Sequence, residues 1–372
     1  MELAELLPVG ERKLAPVGVL LPRKAIGGEA VLFASVAYQD GAGSWRAIIR
    51  GASYEPETVK FHKRLLVRLL RQVMKASPRD LEHPVFRDRI RFFIARTEGG
   101  KKVAIRLGEK QFILPKRTRR NGQFRGVVRL TQKDVTRLRK SGEIDGQWLQ
   151  VNLASNSHLS SVETRVQLLP QQGISIISDI DDTIKITGVT DRRAMLENTF
   201  MRPFKPVRGM AKLYQHWSKQ GAAFHYVSSS PWQLYCQLAS FCDEYGMPQG
   251  SIHLRSFRLR DHMLRRVRLI RRGGKGSAIL ELLRACPHRM FYLIGDSGER
   301  DAEIYARVAR RFPGQVAGIL IRQLPERPLD SVRLEKAFRN IPTSKWRLFS
   351  DPKEVRDLLK NSATSPLFET SK

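Results

Sequence analysis

From about residue 25 to residue 168 the chain alternates apolar and polar positions in short runs: Ala30–Tyr38, Trp45–Arg50, Ile90–Ala95, Lys102–Leu107 and Phe124–Leu130. Turn-forming groups such as Asp40-Gly41-Ala42-Gly43, Glu98-Gly99-Gly100 and Asn121-Gly122 separate them, which predicts strands joined by tight turns. One stretch breaks the alternation. Leu65, Leu66, Leu69, Leu70 and Val73 recur at helical spacing and predict a helix over Glu57–Lys75. Leu149–Leu153 and Thr164–Leu169 add two more alternating runs, so a smaller β-rich, sandwich-like domain is expected over 1–170. It shows no catalytic cluster, because His62, His83 and His158 stand apart from one another.

Pro170-Gln171-Gln172-Gly173 reads as a short polar linker, and beyond it strands alternate with helices. Strands are expected at Ile174–Ser178, Ala222–Val227, Met290–Ile294 and Val316–Ile321. Helices are expected at Thr190–Thr199, Val207–Lys219, Trp232–Tyr245, Ser277–Ala285 and Asp301–Arg311. That alternation implies right-handed crossovers and a parallel sheet covered on both faces, an α/β domain over 172–325. Residues 326–372 are expected to form a C-terminal helical extension and tail. In such sheets the chemistry gathers at the carboxyl ends of the strands.

The first of these strands runs into Ser178-Asp179-Ile180-Asp181-Asp182-Thr183. With period two, Asp179 and Asp181 project to one side while Ile180 points away. Two carboxylates that close repel each other unless a cation sits between them, and a hard divalent ion with oxygen ligands, magnesium above all, fits. Asp is also a covalent nucleophile for phosphoryl groups. The second strand ends in Tyr226-Val227-Ser228-Ser229-Ser230-Pro231, hydroxyls and backbone N–H groups ahead of a helix that suit a phosphate. Lys275 opens the helix that leads to the third strand. That strand ends in Gly295-Asp296-Ser297-Gly298-Glu299-Arg300-Asp301, which brings a third and a fourth carboxylate to the same sheet edge.

The order and spacing of these elements resemble the haloacid dehalogenase superfamily. More narrowly, Ser178–Lys185, Tyr226–Trp232 and Ile294–Tyr305 are similar to the catalytic domain of the actin-patch-type phosphatidate phosphatases and their bacterial relatives, over about 150 of the 372 residues. The resemblance implies a Rossmann-like haloacid-dehalogenase domain with a minimal cap, and a magnesium-dependent phosphomonoesterase. Asp179 would be the nucleophile that becomes an aspartyl phosphate, and Asp181 the general acid and base. Ser228, Ser229 and Lys275 would bind the phosphoryl oxygens. Asp179, Asp181 (through its stretch of backbone), Asp296 and Asp301 would hold the metal. Asp182 and Thr183 would shape the turn. The family pattern has Asn where Ser229 stands, a departure that touches substrate positioning.

Composition narrows the setting. The apolar fraction of 41% includes no unbroken run of about 18 apolar residues, so no transmembrane helix is expected. The amino-terminal stretch lacks a basic region followed by an apolar one, so no secretory leader is expected either. Cys236, Cys242 and Cys286 have no metal-ligand spacing, which suits buried thiols in a reducing cytoplasm. Sixty-six Lys and Arg against 36 Asp and Glu give a formal charge of +30, a field that attracts polyanions. Its sharpest concentration is Arg255–Lys275, with nine bases, the single acid Asp261 and interleaved apolar residues. Beside a phosphatase site with little lid, that stretch suits an anionic membrane surface, at about 1 kcal/mol per basic residue. The expected partner is anionic lipid, phosphatidate, met peripherally on the inner membrane face. A nucleic-acid end is the second choice, and an idle basic module that binds membranes or RNA the third.

Overall fold

The structure, a computed structural model, describes residues 29–55, 61–97, 99–154, 163–256 and 274–359. The amino-terminal half holds β1 (Glu29–Phe33), β2 (Ser35–Gln39), β3 (Trp45–Glu55), α1 (Phe61–Met74), α2 (Pro78–Glu82), α3 (Pro84–Ile94), β4 (Arg96–Thr97), β5 (Ala104–Leu107), β6 (Lys110–Ile113), β7 (Gln123–Leu130), α4 (Gln132–Lys140), β8 (Ile144–Asp145), β9 (Trp148–Leu153) and β10 (Glu163–Leu169). Its β-rich character is as expected, but the ten strands hydrogen-bond into one sheet rather than two. The long β3 pairs with β1 and β2 on one edge and with β4 and β7 on the other. Beyond β2 the sheet continues through β10, β9, β5 and β6. Its two ends share one interior, in which Ala47, Ile49 and Val128 pack with Ile105, Leu149, Val151 and Val166. The sheet therefore wraps over its own core and does the work of a sandwich.

The expected strand Ile90–Ala95 is a correction, because those residues lie in α3 and at its C-cap. Ile90, Phe92 and Ile94 do alternate, but Phe86, Ile90 and Phe93 recur at helical spacing and all are buried. Pro84 at the first helical position, capped by His83 accepting from the Val85 N–H, starts the helix upstream of the alternating window.

The carboxyl-terminal half holds the expected strands and helices in order, with four strands added: β11 (Ile174–Ser178), β12 (Lys185–Ile186), α5 (Arg192–Phe200), β13 (Lys205–Pro206), α6 (Met210–Lys219), β14 (Ala223–Pro231), α7 (Tyr235–Glu244), β15 (Gly250–Arg255), α8 (Lys275–Ala285), β16 (Met290–Asp296), α9 (Asp301–Arg311), β17 (Val316–Arg322), α10 (Ser331–Phe338) and β18 (Trp346–Phe349). The additions are β12, β13, β15 and β18. Six strands form an all-parallel sheet in the order β15-β14-β11-β16-β17-β18. β11 is central, which is why Ser175-Ile176-Ile177-Ser178 is buried throughout. The chain moves outward from β11 through β14 and β15, then crosses back to β16. That reversal opens a crevice at the carboxyl ends of β14, β11 and β16. The sheet does not stop at residue 325. α10 and β18 continue it to Phe349, because β17 would otherwise leave an unpaired edge and Ile321, Leu348 and Phe349 bury apolar surface there.

A buried polar chain joins the two sheets. Arg50 Nη1 meets His253 Nδ1 at 2.7 Å, His253 Nε2 meets Ser251 Oγ at 2.8 Å, and Ser251 Oγ meets His225 Nδ1 at 2.8 Å. His225 Nε2 then meets Ser175 Oγ at 3.2 Å, which accepts from Arg289 Nε at 2.9 Å. Arg50 must donate to His253 Nδ1, so that neutral ring carries its proton on Nε2 and donates it to Ser251. Burial pushes His225 down to about 3 and His253 well below the usual histidine range. The three cysteines are free and buried. Among the described residues no helix is long and apolar enough to cross a membrane.

Candidate active site

Asp179 leaves the end of β11 with its N–H bonded to Ile294 O of β16 at 2.8 Å, which draws the chain into the crevice. Its side chain is fully buried. Oδ1 lies 2.7 Å from Lys275 Nζ, and Thr183 Oγ1 donates to Oδ2 at 3.3 Å. Asp296 ends β16 and Asp301 starts α9, both without exposed surface. One carboxylate oxygen from each of Asp179, Asp296 and Asp301 falls within 4.8 Å of the others, so the chain brings three of the expected ligands together. Lys275, the first residue of α8, reaches Asp179 Oδ1, Asp301 Oδ1 at 2.5 Å and Glu299 Oε2 at 3.1 Å.

The electrostatics follow from burial and crowding. Burial pushes Asp179 well above the usual carboxylate range against the pull of Lys275, and Asp301, Glu299 and Asp296 push the same way. Burial and Asp301 raise Asp296 to about 8, and burial raises Asp301 to about 6 despite Lys275. Four carboxylates thus face one ammonium, which leaves a formal charge of −3. Asp296 Oδ1 accepts from the N–H groups of Gly298 and Glu299, while Oδ2 is buried with no hydrogen-bond partner. An all-oxygen donor set with excess negative charge and an orphaned buried oxygen fits a hard divalent cation such as magnesium.

The Asp181 carboxylate lies outside that group of three, while the expected ligand from this stretch is backbone. Oδ1 accepts from Lys185 Nζ at 2.9 Å and from Thr187 Oγ1 at 2.8 Å, and Oδ2 from the hydroxyls of Ser228 and Ser230, both at 2.8 Å. Burial works to raise its pKa, but Lys185 and the two hydroxyls outweigh it and hold the carboxyl well below the usual range. Ser228 is therefore engaged with Asp181, and its Oγ also accepts from the Ser230 N–H at 2.8 Å. Ser229 points to Glu299, with Oγ 3.5 Å from Oε2. Asp182 shapes the turn, while the Thr183 hydroxyl bonds Asp179. Asp182 has φ 54°, and its carboxylate collects the N–H groups of Thr187, Gly188 and Val189 at 2.6, 2.9 and 2.7 Å.

Residues 174–323 match the family described as phosphatidate phosphatase APP1, catalytic domain. The chain is 38% identical over 165 residues to an uncharacterised protein of Schizosaccharomyces pombe, covering 43% of this chain and 27% of that one. It is 37% identical over 155 residues to phosphatidate phosphatase APP1 of Saccharomyces cerevisiae, covering 40% and 26%. Over residues 174–323 the chain is thus similar to the APP1-type catalytic domain. The matched stretch is about a quarter of the length of each of these relatives. Among solved structures, the D,D-heptose 1.7-bisphosphate phosphatase of B. bronchiseptica, complexed with magnesium and phosphate, covers 51% of this chain and 99% of its own. Its 12% identity and TM-score of 0.33 decide nothing.

Four residues of this site lie outside the set read from sequence: Lys185, Thr187, Ser230 and Glu299. Lys185 had a signal, since it follows Asp181 by four residues and so returns to it across one turn, an (i, i+4) ion pair. Ser230 and Glu299 sit within motifs already singled out, but only the fold shows that they touch Asp181 and Lys275. The basic stretch Arg255–Lys275 falls mostly on residues 257–273, outside the described residues.

Proposed function

We propose that this chain is a magnesium-dependent phosphomonoesterase that hydrolyses phosphatidate to diacylglycerol and phosphate at an anionic membrane surface, through an aspartyl phosphate on Asp179. The observation that carries the reading is the buried Asp179 at a central strand end, with Lys275 Nζ at 2.7 Å and Asp296 and Asp301 within ligand reach. The name of the Saccharomyces cerevisiae relative supports the substrate class.

The chain's own groups divide the work. An Asp179 oxygen attacks phosphorus, the bond to the glycerol oxygen breaks, and that oxygen takes up a proton. Lys275 offsets charge on Asp179 and on the phosphoryl oxygens. Magnesium, held by Asp179, Asp296 and Asp301, would supply the remaining positive charge when bound. Asp181 rests ionised, ready to take a proton from the water that attacks the aspartyl phosphate. The first half-reaction needs Asp181 protonated. If Ser228 and Ser230 turn from Asp181 to the incoming phosphoryl oxygens, Asp181 loses two donors and its proton affinity rises.

The test is phosphate release from phosphatidate, lysophosphatidate, phosphorylated DNA ends and p-nitrophenyl phosphate, each with magnesium and with EDTA. Phosphatidate with magnesium should turn over fastest. Faster turnover of DNA ends would replace the lipid reading. Asp179→Asn retaining more than about a tenth of the wild-type rate, a loss under ~1.4 kcal/mol, would sink the covalent mechanism. Charge reversal at Arg265, Arg266 and Arg268 should slow hydrolysis of phosphatidate in vesicles while the soluble ester is unaffected. Raised salt should mimic it, since the Debye length falls from ~10 Å at 0.1 M to ~3 Å at 1 M. Equal losses on both substrates would exclude docking through that stretch.

A further inference from the structure

The loop Ser297–Arg300 joins Asp296, the last residue of β16, to Asp301, the first of α9, so its shape sets the separation of these two carboxylates. Asp296 itself holds the loop's N–H groups at Gly298 and Glu299. The carbonyls are held from outside, by one guanidinium. Arg333 Nη1 donates to Ser297 O at 2.5 Å, and Nη2 donates to Glu299 O. The same side chain pairs with Glu303, Nε to Oε1 at 2.9 Å and Nη2 to Oε2 at 3.2 Å. Glu303 lies in the first turn of α9, two residues past Asp301. Arg333 therefore ties down the chain on both sides of Asp301. It stands on α10, where its own N–H bonds Asp330 Oδ1 at 2.7 Å, and so lies outside the matched stretch 174–323.

We infer that Arg333 is a positioning residue for the metal cluster: it fixes the Ser297–Arg300 loop so that Asp296 and Asp301 keep the spacing a hard divalent cation needs. The inference rests on the metal reading given above. A small, hard cation tolerates little displacement of its ligands. Groups that orient the ligands of a metal are typically worth about 10- to 100-fold in its affinity. A planar guanidinium can satisfy two carbonyls and a carboxylate at once, which a lysine ammonium at the same place cannot do in one geometry.

The experiment is calorimetric titration of magnesium into the full chain, with thermal unfolding of each protein measured in EDTA. Arg333→Ala should raise the magnesium Kd about 10- to 100-fold, and Arg333→Lys several-fold, so that the milder variant reads the effect even if the alanine variant folds poorly. Arg310→Ala is the structural control. Arg310 Nη1 bonds Ala337 O and Arg339 O, each at 3.0 Å, at the other end of α10 and away from the loop. It should lower thermal stability yet leave Kd within about twofold. Wild-type affinity in both Arg333 variants would overturn the inference, and so would an equal loss in Arg310→Ala, which would reduce Arg333 to a packing role. A wild-type chain that binds no magnesium would overturn the metal reading and the inference with it, and is told apart by the wild-type titration alone.

Discussion

Replacing Lys185 by Met tests how Asp181 is kept ionised. Lys185 Nζ lies 2.9 Å from Asp181 Oδ1, with side-chain exposures of 2% and 9%, so water screens the pair little. Nζ also donates to Thr187 Oγ1 and sits 4.7 Å from the centre of the Phe204 ring. Met keeps much of the volume and none of the charge. At an effective dielectric of about 20 the lost attraction is roughly 6 kcal/mol in gross terms. Part is recovered because no ammonium is buried any longer, so removal of one partner should cost about 3–5 kcal/mol of stability near pH 7. The dependence on pH has a definite sign. In the wild type Asp181 is held well below its unfolded value, so its contribution is present above the unfolded pKa of about 3.9 and is lost as pH falls through the lower folded value. In Lys185→Met burial is no longer outweighed and the folded pKa rises above the unfolded one. The folded variant then binds a proton that the unfolded chain does not, and it regains stability as pH falls. Guanidinium unfolding in EDTA at pH 7.5 and pH 5, with matched m values, should show the deficit shrinking at the lower pH. A deficit under about 1 kcal/mol, or one equal at both pH values, would refute the reasoning.

Three further outcomes are expected. Gly295→Ala would set a Cβ 2.1 Å from Asp301 Oδ2 and 2.6 Å from its Cβ, so Asp301 must move; magnesium affinity by calorimetry should fall about tenfold or more. His225, buried and pushed down to about 3, takes up no proton on folding while the unfolded residue does below its usual value near 6.5, so stability falls as pH drops through that window. At ~1.4 kcal/mol per unit, His225→Asn should make the loss between pH 6.5 and 5 smaller by about 2 kcal/mol in denaturant titrations. Asp182→Ala removes the two oxygens that accept from three N–H groups and puts a Cβ-bearing residue without a polar side chain at φ 54°, whereas Asp182→Asn keeps an acceptor and tolerates that conformation. Thermal melts should therefore rank wild type above Asn above Ala.

Much of the carboxyl-terminal sheet was legible because its strands are buried on both faces and its helices are set off by glycine and by polar turns. Asp301–Arg311 is an expected helix with the observed bounds, and Ile174–Ser178 an expected strand. β15 and β18 went unread. Edge strands are short and only partly buried, and Gly250–Arg255 carries two buried polar residues, Ser251 and His253, which bond each other and take further partners, His225 and Arg50, from other strands. In the site, the spacing of Asp179, Asp296 and Asp301 after strands was enough to bring three carboxylates to one sheet edge. The fate of Asp181 was not legible. Period two sets it on the same side as Asp179, but the chain turns at Asp182 with φ 54°, and the carboxylate swings to Lys185 and the serines. A rule that holds within a strand fails three residues past its end, since the strand stops at Ser178.

The division of two aspartates between two lysines bears on the proposed role of a cation. Asp181 and Lys185 form a locally neutral pair, further satisfied by three hydroxyls. Lys185 is thus spent on Asp181 and cannot soften the second group. There, among the described residues, Asp179, Asp301 and Glu299 pair with Lys275, which also draws on Asp296 through space. A phosphate monoester at neutral pH carries close to two negative charges, and entry into a buried cluster of formal charge −3 is strongly opposed. Protonation of Asp296 and Asp301, which their raised values near 8 and 6 favour, would relieve the repulsion but would also weaken both as ligands. A divalent cation resolves the conflict in the other direction. It restores the carboxylates to their ionised forms and brings the cluster to −1, with Lys275 left free to meet the phosphoryl oxygens. On that account magnesium binding should release protons near pH 7, about one for each raised carboxyl that it ionises. Titration of magnesium in two buffers of different ionisation enthalpy reads that release directly. Binding heats that do not differ between the buffers would mean that the carboxylates are already ionised, and the electrostatic case for the cation would fall.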